Sequence, residues 1–325
     1  MAARRPVLRG GIDLGGTKIQ AIVCDARHRV LGQSRHPTPA TGGPDDVIGA
    51  LVNAQREAAK SAGVETSALV GVGVGTPGDV DVRKGTVARA GNLPGWTGEL
   101  AMARLLKRAL KAEVFLGNDV SVATQAEFAI GAGKPFQSLL GVFWGTGVGG
   151  GLILDGREWH GRGGAGEIGH MVVRNHGARC PCGRKGCMEA YAGRKAMETE
   201  ARARHTKGEK TELFEIMKRK GHDRLKSGTF AKALENDDRM ARELIDRAYD
   251  ALGAGVASAV NLLDVEAVVL GGGLGVRFGE PAAKRLAKEM KPHLFNDTRP
   301  PVVLVAALGD LGGALGAAML VGARG

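Results

Sequence analysis

The chain repeats one short pattern near the start of each of its halves: an apolar strand, a glycine-containing turn and a second strand. In the first half the predicted strands run from Val7 to Gly15 and from Lys18 to Cys24. In the second half Ser138 to Trp144 precede Gly145-Thr146-Gly147, and a strand at Gly151 to Leu154 follows. This duplication predicts an internally repeated α/β protein with a cleft between two lobes.

Hydrophobic periodicity and glycine or proline boundaries predict the other main elements. These are a strand around Val30 to Arg35, a helix from Pro44 to Gly63, a strand at Leu69 to Gly75, a strand at Glu113 to Leu116, a helix at Val120 to Ile130, a long helix containing Met240, Leu244, Ala248, Leu252 and Val256, a strand at Ala267 to Leu270, and a final helix at Gly312 to Val321. We expect a small lobe of residues 1–117, on which a C-terminal helix at 310–323 packs. Residues 118–309 are expected to form a large lobe that contains the cysteine-rich loop at 180–187.

Composition fits a globular protein with two domains. The chain has 325 residues, 43% hydrophobic and 24% charged, which is enough for two cores. The uncharged run Pro135 to Leu154 contains several glycines and polar side chains, which favours a buried strand and loop over a membrane span. No apolar stretch follows Arg4 and Arg5, so we expect a cytoplasmic protein without a membrane partner.

Positive charge is spread along the chain. Lysine and arginine number 45 against 34 acidic residues, a net charge of +11, with a moderate concentration between Arg202 and Lys232. No helix-turn-helix, aromatic stacking surface or zinc-finger pattern accompanies these residues, so DNA is not an expected partner. We interpret the basic segment 202–232 as a solvated, mobile surface and keep a polyanionic partner as the alternative.

The stretch Asp13-Leu14-Gly15-Gly16-Thr17-Lys18 is typical of a phosphate-binding loop. Its glycines let backbone N–H groups turn toward an anion, while Thr17 adds a hydroxyl and Lys18 a positive charge. Asp13 would repel a phosphate unless a divalent cation lay between them, so it predicts a Mg²⁺ site, held through water. Gly145-Thr146-Gly147 offers donors from the other half. Neither loop is a Walker motif, and no dinucleotide-binding fingerprint indicates a nicotinamide enzyme.

Gly117-Asn118-Asp119 lies between a predicted strand and a predicted helix. Asp119 is therefore expected near a helix N-terminus, where the helix dipole favours a negative charge. An ionised carboxylate at the end of a strand is suited to accept a proton from an attacking hydroxyl. A plain helix N-cap is the alternative interpretation of this residue.

Three of the four cysteines lie close together in the sequence, at Cys180, Cys182 and Cys187. With His170 they make a Cys₃His set, which has the number and type of ligands of a closed, tetrahedral structural zinc site. Because such a site leaves no position open for a substrate, we expect the zinc to shape its loop and to position the flanking Glu167 and Glu189. The fourth cysteine, Cys24, is expected to be a small buried hydrophobic residue.

At these residues the chain resembles the ROK family (repressors, open reading frames, kinases). The motifs that carry the resemblance are Asp13-Leu14-Gly15-Gly16-Thr17-Lys18, Gly117-Asn118-Asp119, Gly145-Thr146-Gly147-Val148-Gly149-Gly150-Gly151, Glu167-Ile168-Gly169-His170, Cys180-x-Cys182-Gly183-x-x-Gly186-Cys187-x-Glu189 and Gly271-Gly272-Gly273. They extend over nearly the whole chain, and the cysteine motif after Glu-Ile-Gly-His is highly specific.

The resemblance implies a ribonuclease-H-like, actin- and hexokinase-type fold with two lobes, and ATP with Mg²⁺ in the cleft. It implies that Asp119 is the general base on the 6-hydroxyl of a hexose. The implied sugar ligands are Asn92, Asn118, Asp119, Glu167, His170 and Glu189. The residues expected around the ATP phosphates are Asp13, Gly15, Gly16, Thr17, Lys18, Gly145, Thr146, Gly147, Gly271, Gly272 and Gly273. The zinc ligands are His170, Cys180, Cys182 and Cys187, so His170 would also ligate zinc.

The resemblance also defines the alternative functions, substrates and phosphoryl donors. Its repressors carry a helix-turn-helix ahead of the kinase-like body, whereas here the phosphate loop begins at Asp13, which favours a kinase over a non-catalytic sugar-sensing regulator. The segment Gly91 to Trp96 most resembles glucokinases, and hence favours glucose and glycolysis. Kinases of fructose, N-acylmannosamine or N-acetylglucosamine remain open, as does polyphosphate as a phosphoryl donor. A homodimer or homotetramer is expected. The segment from His205 to Lys232 matches no motif of the family.

Overall fold

A computed structural model describes residues 7–91 and 93–322. These residues divide by their contacts into two compact units. Unit 1 takes its described residues from 1–134, 160–165 and 307–325, and unit 2 consists of 135–159 and 166–306. No helix among the described residues combines the length and the apolar character that crossing a membrane requires.

The secondary structure alternates between strands and helices along the chain. The strands are β1 (Arg9–Leu14), β2 (Lys18–Cys24), β3 (Val30–Pro37), β4 (Gly71–Thr76), β5 (Asp79–Asp81), β6 (Thr86–Ala88), β7 (Val114–Asn118), β8 (Leu139–Trp144), β9 (Val148–Leu154), β10 (Arg157–Glu158), β11 (Ala267–Gly271) and β12 (Val302–Val305). The α-helices are α1 (Pro44–Ser61), α2 (Met102–Leu110), α3 (Asp119–Ile130), α4 (Glu189–Ala192), α5 (Arg194–Thr206), α6 (Leu213–Arg219), α7 (Ser227–Glu235), α8 (Arg239–Leu263), α9 (Gly272–Met290) and α10 (Gly312–Met319).

The two units contain five-stranded sheets of the same design. The sheet of unit 1 has the strand order β3-β2-β1-β4-β7, and the sheet of unit 2 has the order β10-β9-β8-β11-β12. In each sheet the first two pairings are antiparallel and the last two are parallel. The predicted duplication is therefore present at the level of the sheet, and each glycine-containing turn joins the central strand to its antiparallel neighbour.

Helix α10 belongs to unit 1, where it packs on β1, β4 and α3. The chain reaches it through a segment held by the buried Glu127, whose carboxylate accepts hydrogen bonds from the backbone N–H groups of Ala307 (3.0 Å) and Leu308 (2.8 Å). The predicted helix at 310–323 corresponds to Gly312–Met319, preceded by a 3₁₀ turn at Gly309–Leu311. Residue 323 lies outside the described residues.

The division between the units differs from the expected boundary after residue 117. It falls after Lys134 instead, because α3 packs on α10 and on the parallel strands β4 and β7 of unit 1. Asp119 therefore belongs to unit 1 and not to the larger lobe to which the sequence assigned it. Residues 160–165 also join unit 1, which a division by sequence order does not anticipate.

Helix α8 forms much of the core of unit 2. The apolar residues that recur every fourth position are all buried, as the periodicity predicted: Met240, Leu244, Ala248, Leu252 and Val256. The helix begins at Arg239 and is capped by Asp238, whose side chain accepts a 2.8 Å hydrogen bond from the N–H of Ala241. This arrangement is the usual one for an amphipathic helix that is stabilised by packing one face.

The basic segment 202–232 forms packed helices in unit 2, which corrects the expectation of a mobile surface. The buried carboxylate of Glu198 on α5 binds Arg202 at 2.7 Å and Arg224 at 3.1 Å. Arg204 binds Glu209 at 2.7 Å. These ion pairs offset part of the positive charge. Three successive basic residues remain exposed at the end of α6: Lys218, Arg219 and Lys220.

Candidate active site

In unit 1 the candidate residues lie where three parallel strands end. Asp13 is the second-last residue of β1 and pairs with Gly75 of β4, and Thr76 pairs with Asn118 at the end of β7. Because parallel strands run in one direction, their carboxyl ends meet at a single edge of the sheet. This edge is the usual ligand-binding position of an open α/β sheet. The sequence predicted Asp13 and Asn118 from separate motifs, and the sheet brings the ends of their strands to one edge.

The loop Gly15 to Lys18 is a tight turn held by its neighbours. The N–H of Gly15 donates to the carbonyl of Lys18 at 2.9 Å, and the hydroxyl of Thr38 donates to the carbonyl of Gly15 at 2.6 Å. Lys18 extends to Asp310, with 2.7 Å between its Nζ and Oδ1 of the carboxylate. The charge of Lys18 is thus partly balanced by a residue from the C-terminal segment of the same unit.

The side chain of Asp13 lies in a desolvated position. Burial raises the pKa of its carboxyl from the ordinary value of 3.8 to about 6, the nearby Lys18 lowers it, and Asp310 adds a smaller upward contribution. Desolvation disfavours the charged form of a carboxyl group. A divalent cation near Asp13 would reverse this penalty, so the position suits a carboxylate whose partner is a metal ion.

Asp119 is the first residue of α3, and the capping role belongs to Asn118. The side-chain oxygen of Asn118 accepts hydrogen bonds from the N–H groups of Val120 (3.0 Å) and Ser121 (3.1 Å). Asp119 Oδ1 also lies 3.0 Å from the N–H of Val120. A carboxylate in the first turn interacts favourably with the helix dipole. The alternative interpretation of Asp119 as the N-cap therefore does not describe this helix.

In unit 2 two glycine-rich segments meet at the ends of parallel strands. Gly145 follows β8 and Gly271 ends β11, and a Cβ atom placed on Gly145 would lie 3.6 Å from the backbone nitrogen of Gly273. Gly272 has φ of +76°, and a side chain there would meet the carbonyl of Trp144 at 2.6 Å, so only glycine fits. Helix α9 begins at Gly272, and a helix N-terminus next to a glycine loop is suited to bind phosphate.

The loop Gly145 to Gly147 is attached to the start of α5. The N–H groups of Arg194 and Lys195 donate to the carbonyls of Gly145 (3.1 Å) and Thr146 (3.0 Å). The guanidinium of Arg194 donates to the hydroxyl of Thr146 at 2.8 Å. Arg194 is only 8% exposed, and burial lowers its pKa. Sequence reasoning missed Arg194, because no local pattern marks this arginine.

The cysteine cluster is assembled by two short backbone pairings. Cys180 and Cys182 share a turn in which the N–H of Cys180 donates to the carbonyl of Arg184 at 2.8 Å. Cys187 pairs with Val172, which brings it beside the segment after His170. The four candidate ligand atoms all lie within 4.8 Å of one another, and they belong to His170, Cys180, Cys182 and Cys187.

The spacing of these ligand atoms fits a tetrahedral zinc ion. Sulfur atoms bound to zinc at about 2.3 Å and at tetrahedral angles lie about 3.8 Å apart. Cys182 Sγ and Cys187 Sγ are 3.7 Å apart, and Cys180 Sγ lies 3.7 Å from His170 Nδ1. The residues present therefore fit the metal. The other ring nitrogen of His170, Nε2, faces Glu167 Oε2 at 3.8 Å.

Glu189 lies two residues after Cys187, as the first residue of α4, and is bound to the glycine loop. Its Oε2 accepts a 2.9 Å hydrogen bond from the N–H of Val148. The carboxylate passes so close to Gly147 that a Cβ atom there would lie 2.1 Å from Oε2. A side chain at 147 would therefore displace the Glu189 carboxylate from this position. Of the other expected sugar ligands, Glu167 and His170 lie in unit 2, Asn118 and Asp119 lie in unit 1, and Asn92 lies outside the described residues.

Proteins of known identity resemble the chain over nearly its full length. A glucokinase from Thermotoga maritima is 30% identical over 319 residues, which cover 97% of both chains. An N-acetyl-D-glucosamine kinase from Pectobacterium atrosepticum is 32% identical over 326 residues, covering 95% of this chain and 97% of the relative.

The fold is that of solved ROK kinases. The crystal structure of a ROK family glucokinase from Streptomyces griseus, in complex with glucose and AMPPNP, superposes with a TM-score of 0.82 at 30% identity, covering 96% of this chain and 98% of the other. The predicted class, an α/β fold of the ribonuclease-H-like, actin- and hexokinase-type, is confirmed by this likeness. The model of the ROK family matches residues 9–324. The chain therefore belongs to the ROK family.

Proposed function

We propose that this protein is an ATP-dependent kinase that phosphorylates the 6-hydroxyl of glucose. The coarser assignment, a sugar kinase, is supported by relatives named glucokinase and N-acetyl-D-glucosamine kinase. The observation that carries the proposal is the position of Asp13 and Asp119 at one edge of the sheet of unit 1. They suit a cation site and a proton acceptor, the two carboxylate functions that such a transfer requires.

The proposed chemistry needs little from the protein beyond positioning and charge. Asp119 accepts the proton of the 6-hydroxyl as its oxygen attacks the terminal phosphorus of ATP, the bond from that phosphorus to the bridging oxygen breaks, and ADP leaves. The backbone N–H groups of the glycine loops and the Thr146 hydroxyl stabilise the phosphate oxygens. Asp13 would hold the Mg²⁺ that is bound with ATP, and this ion would supply charge neutralisation.

The proposed sugar ligands of unit 2 are Glu167, His170 and Glu189. Carboxylates accept hydrogen bonds from the hydroxyl groups of a sugar, and the Nε2 side of His170 remains available because Nδ1 faces the cysteines. Zinc bound by the cysteines and His170 would complete a closed structural site. Its role in the proposal is to hold the loop that carries these ligands, not to react.

The experiment that tests the proposal is a coupled assay of ADP release with a panel of hexoses. ATP with Mg²⁺ is the donor, and glucose, mannose, fructose, N-acetylglucosamine and N-acetylmannosamine are the acceptors. The proposal expects the highest kcat/KM with glucose and no sugar-dependent ADP release with 6-deoxyglucose. ADP release that requires no sugar, or none with any hexose, would contradict it.

An N-acetylglucosamine kinase is the second candidate. The observation in its favour is the 32% identity with the N-acetyl-D-glucosamine kinase of Pectobacterium atrosepticum, which is as high as the identity with the glucokinases. The same panel separates the two candidates, because a pocket that accommodates the acetamido group would give the larger kcat/KM with N-acetylglucosamine.

A further inference from the structure

Arg194 is a buried cation that no part of the proposed mechanism uses so far. Its side chain lies within unit 2 and makes two hydrogen bonds through different nitrogens. Nη2 donates to the hydroxyl oxygen of Thr146 at 2.8 Å, and Nη1 donates to the backbone carbonyl of Leu225. The residue is 8% exposed. A buried guanidinium is costly unless it is hydrogen-bonded and paired, and here the nearby Glu198 also favours its charged form.

The chemistry of the contact fixes the direction of the Thr146 hydroxyl. Arginine has donors only, so Thr146 Oγ1 must be the acceptor in this pair. The hydroxyl proton is then available to a second group, and in the described part of the chain the structure gives it no acceptor. Hydrogen bonds in a chain polarise one another, so a hydroxyl that accepts from a cation becomes a better donor. Such a donor is complementary to an anionic oxygen.

The groups around Thr146 also suit an anion. The hydroxyl lies in the loop between β8 and β9, next to the start of α9, where backbone N–H groups are also available to an anion. The start of α5 holds the same loop through the N–H of Arg194, which donates to the carbonyl of Gly145 at 3.1 Å. The backbone and the side chain of Arg194 thus fix the same short segment.

We infer that Arg194 is a positioning residue for nucleotide binding: it orients the Thr146 hydroxyl as a donor to a phosphate oxygen and adds a positive charge behind it. The inference rests on the proposed function, since it deepens the description of the phosphate site. This role distinguishes Arg194 from Arg202, which lies on the same helix. Arg202 binds Glu198 and the carbonyl of Asp223, and its contacts do not include the loop.

The test is a double-mutant cycle between R194M and T146V, read by calorimetric binding of AMPPNP with Mg²⁺. Each single variant should weaken binding about tenfold or more, because each removes a charge-assisted hydrogen bond or the donor that depends on it. In the T146V background, R194M should weaken binding by less than about twofold, since the hydroxyl through which Arg194 acts is absent. T146S should bind as wild type.

R202M is the matched control, because it removes an arginine from the same helix without touching Thr146. It should lower the midpoint of thermal unfolding and leave nucleotide affinity within about twofold of wild type. In kinetics, R194M should raise KM for ATP and leave KM for glucose unchanged, whereas a purely structural loss would change both. R194K, which keeps the charge, should recover part of the affinity.

Two results would overturn the inference. One is AMPPNP binding by R194M that equals wild type; the other is an equal loss from R194M in the wild-type and T146V backgrounds. Should R194M fail to fold, R194K takes its place in the same cycle. A wild-type protein that does not bind AMPPNP with Mg²⁺ at all would contradict the proposed function itself, which keeps the two failures distinct.

Discussion

The carboxylate of Glu189 accepts a 2.9 Å hydrogen bond from the backbone N–H of Val148, directly after the glycine loop. A residue proposed to bind the sugar is therefore attached to a segment proposed to bind phosphate. Glu189 also follows the candidate zinc ligand Cys187 by two residues, so the candidate metal site, the proposed sugar ligand and the glycine loop are directly linked within unit 2.

This connection predicts different outcomes for two substitutions of Glu189. E189Q keeps an oxygen that accepts from Val148, so it should raise KM for glucose and leave KM for ATP nearly unchanged. E189A removes the acceptor and leaves the N–H of Val148 unpaired, so it should raise both, by about tenfold for ATP. Steady-state kinetics with each substrate varied in turn measures the effects. Equal KM values for ATP in the two variants would exclude the connection.

Asp119 is predicted to be the general base. D119N should lower kcat by about 10²–10⁴-fold, the usual contribution of general-base catalysis, because an amide cannot accept the proton. The N-cap is Asn118, so the start of α3 and the unfolding midpoint should change little. Glucose binding by calorimetry should persist. D79N, a surface carboxylate of unit 1, is the matched control and should keep full activity. Near-normal kcat in D119N would remove it from the mechanism.

The sequence predicted the parts of this molecule that depend on neighbouring residues. Both glycine loops, the strands around them, the periodicity of α8 and the Cys₃His set are local patterns, and each appears in the structure. It did not predict β12 at Val302–Val305, because four apolar residues in a short run carry little information about pairing. Nor did it predict helix α9, or the interruption of that helix at Gly279, whose φ is +61°.

Contacts between residues that lie far apart in the sequence could not be predicted either. Arg194 and Thr146 are 48 residues apart, and Lys18 and Asp310 are 292 residues apart, so no local pattern reveals either pair. The same reason explains the assignment of Asp119 to the wrong unit. Its helix is sequentially next to unit 2, but its packing partner is α10 at the other end of the chain.

The metal site predicts about one zinc ion per chain by elemental analysis. C182S should lose the metal and raise KM for glucose, because the zinc ion would no longer hold the loop that carries Glu167 and Glu189. Cys182 is exposed, so the change itself removes little packing. C24A is the control: Cys24 is not one of the four candidate ligands, so the variant should retain its zinc. Full activity in a metal-free preparation would contradict the structural role.

The exposed residues Lys218, Arg219 and Lys220 allow a test of the polyanion alternative. Replacing all three with serine should leave the ATP reaction unchanged, because none of the ion pairs among the described residues involves them. Polyphosphate should be inactive as a donor. Glucose phosphorylation with polyphosphate that falls steeply with added salt and is lost in the triple variant would instead identify this surface as a polyanion site.

Asp13 predicts how stability and activity depend on pH. Its carboxyl has a pKa of about 6 in the folded protein against an ordinary value of 3.8, so between these values the folded chain holds a proton that the unfolded chain does not. The cost of the buried charge is fully present above pH 6 and is relieved as the pH falls toward 4. D13N removes this cost, so without Mg²⁺ and nucleotide it should exceed the wild type in free energy of unfolding at pH 8 and approach it at pH 4.5. Urea denaturation at the two pH values measures the difference in free energy of unfolding between D13N and the wild type. This difference would not depend on pH if Asp13 were not the cause.

Asp13 also predicts how activity depends on pH. In the wild type, kcat/KM for ATP should fall below about pH 6 as Asp13 is protonated. A higher Mg²⁺ concentration should move this fall to lower pH, because the cation favours the carboxylate. D13N should have little activity at any pH.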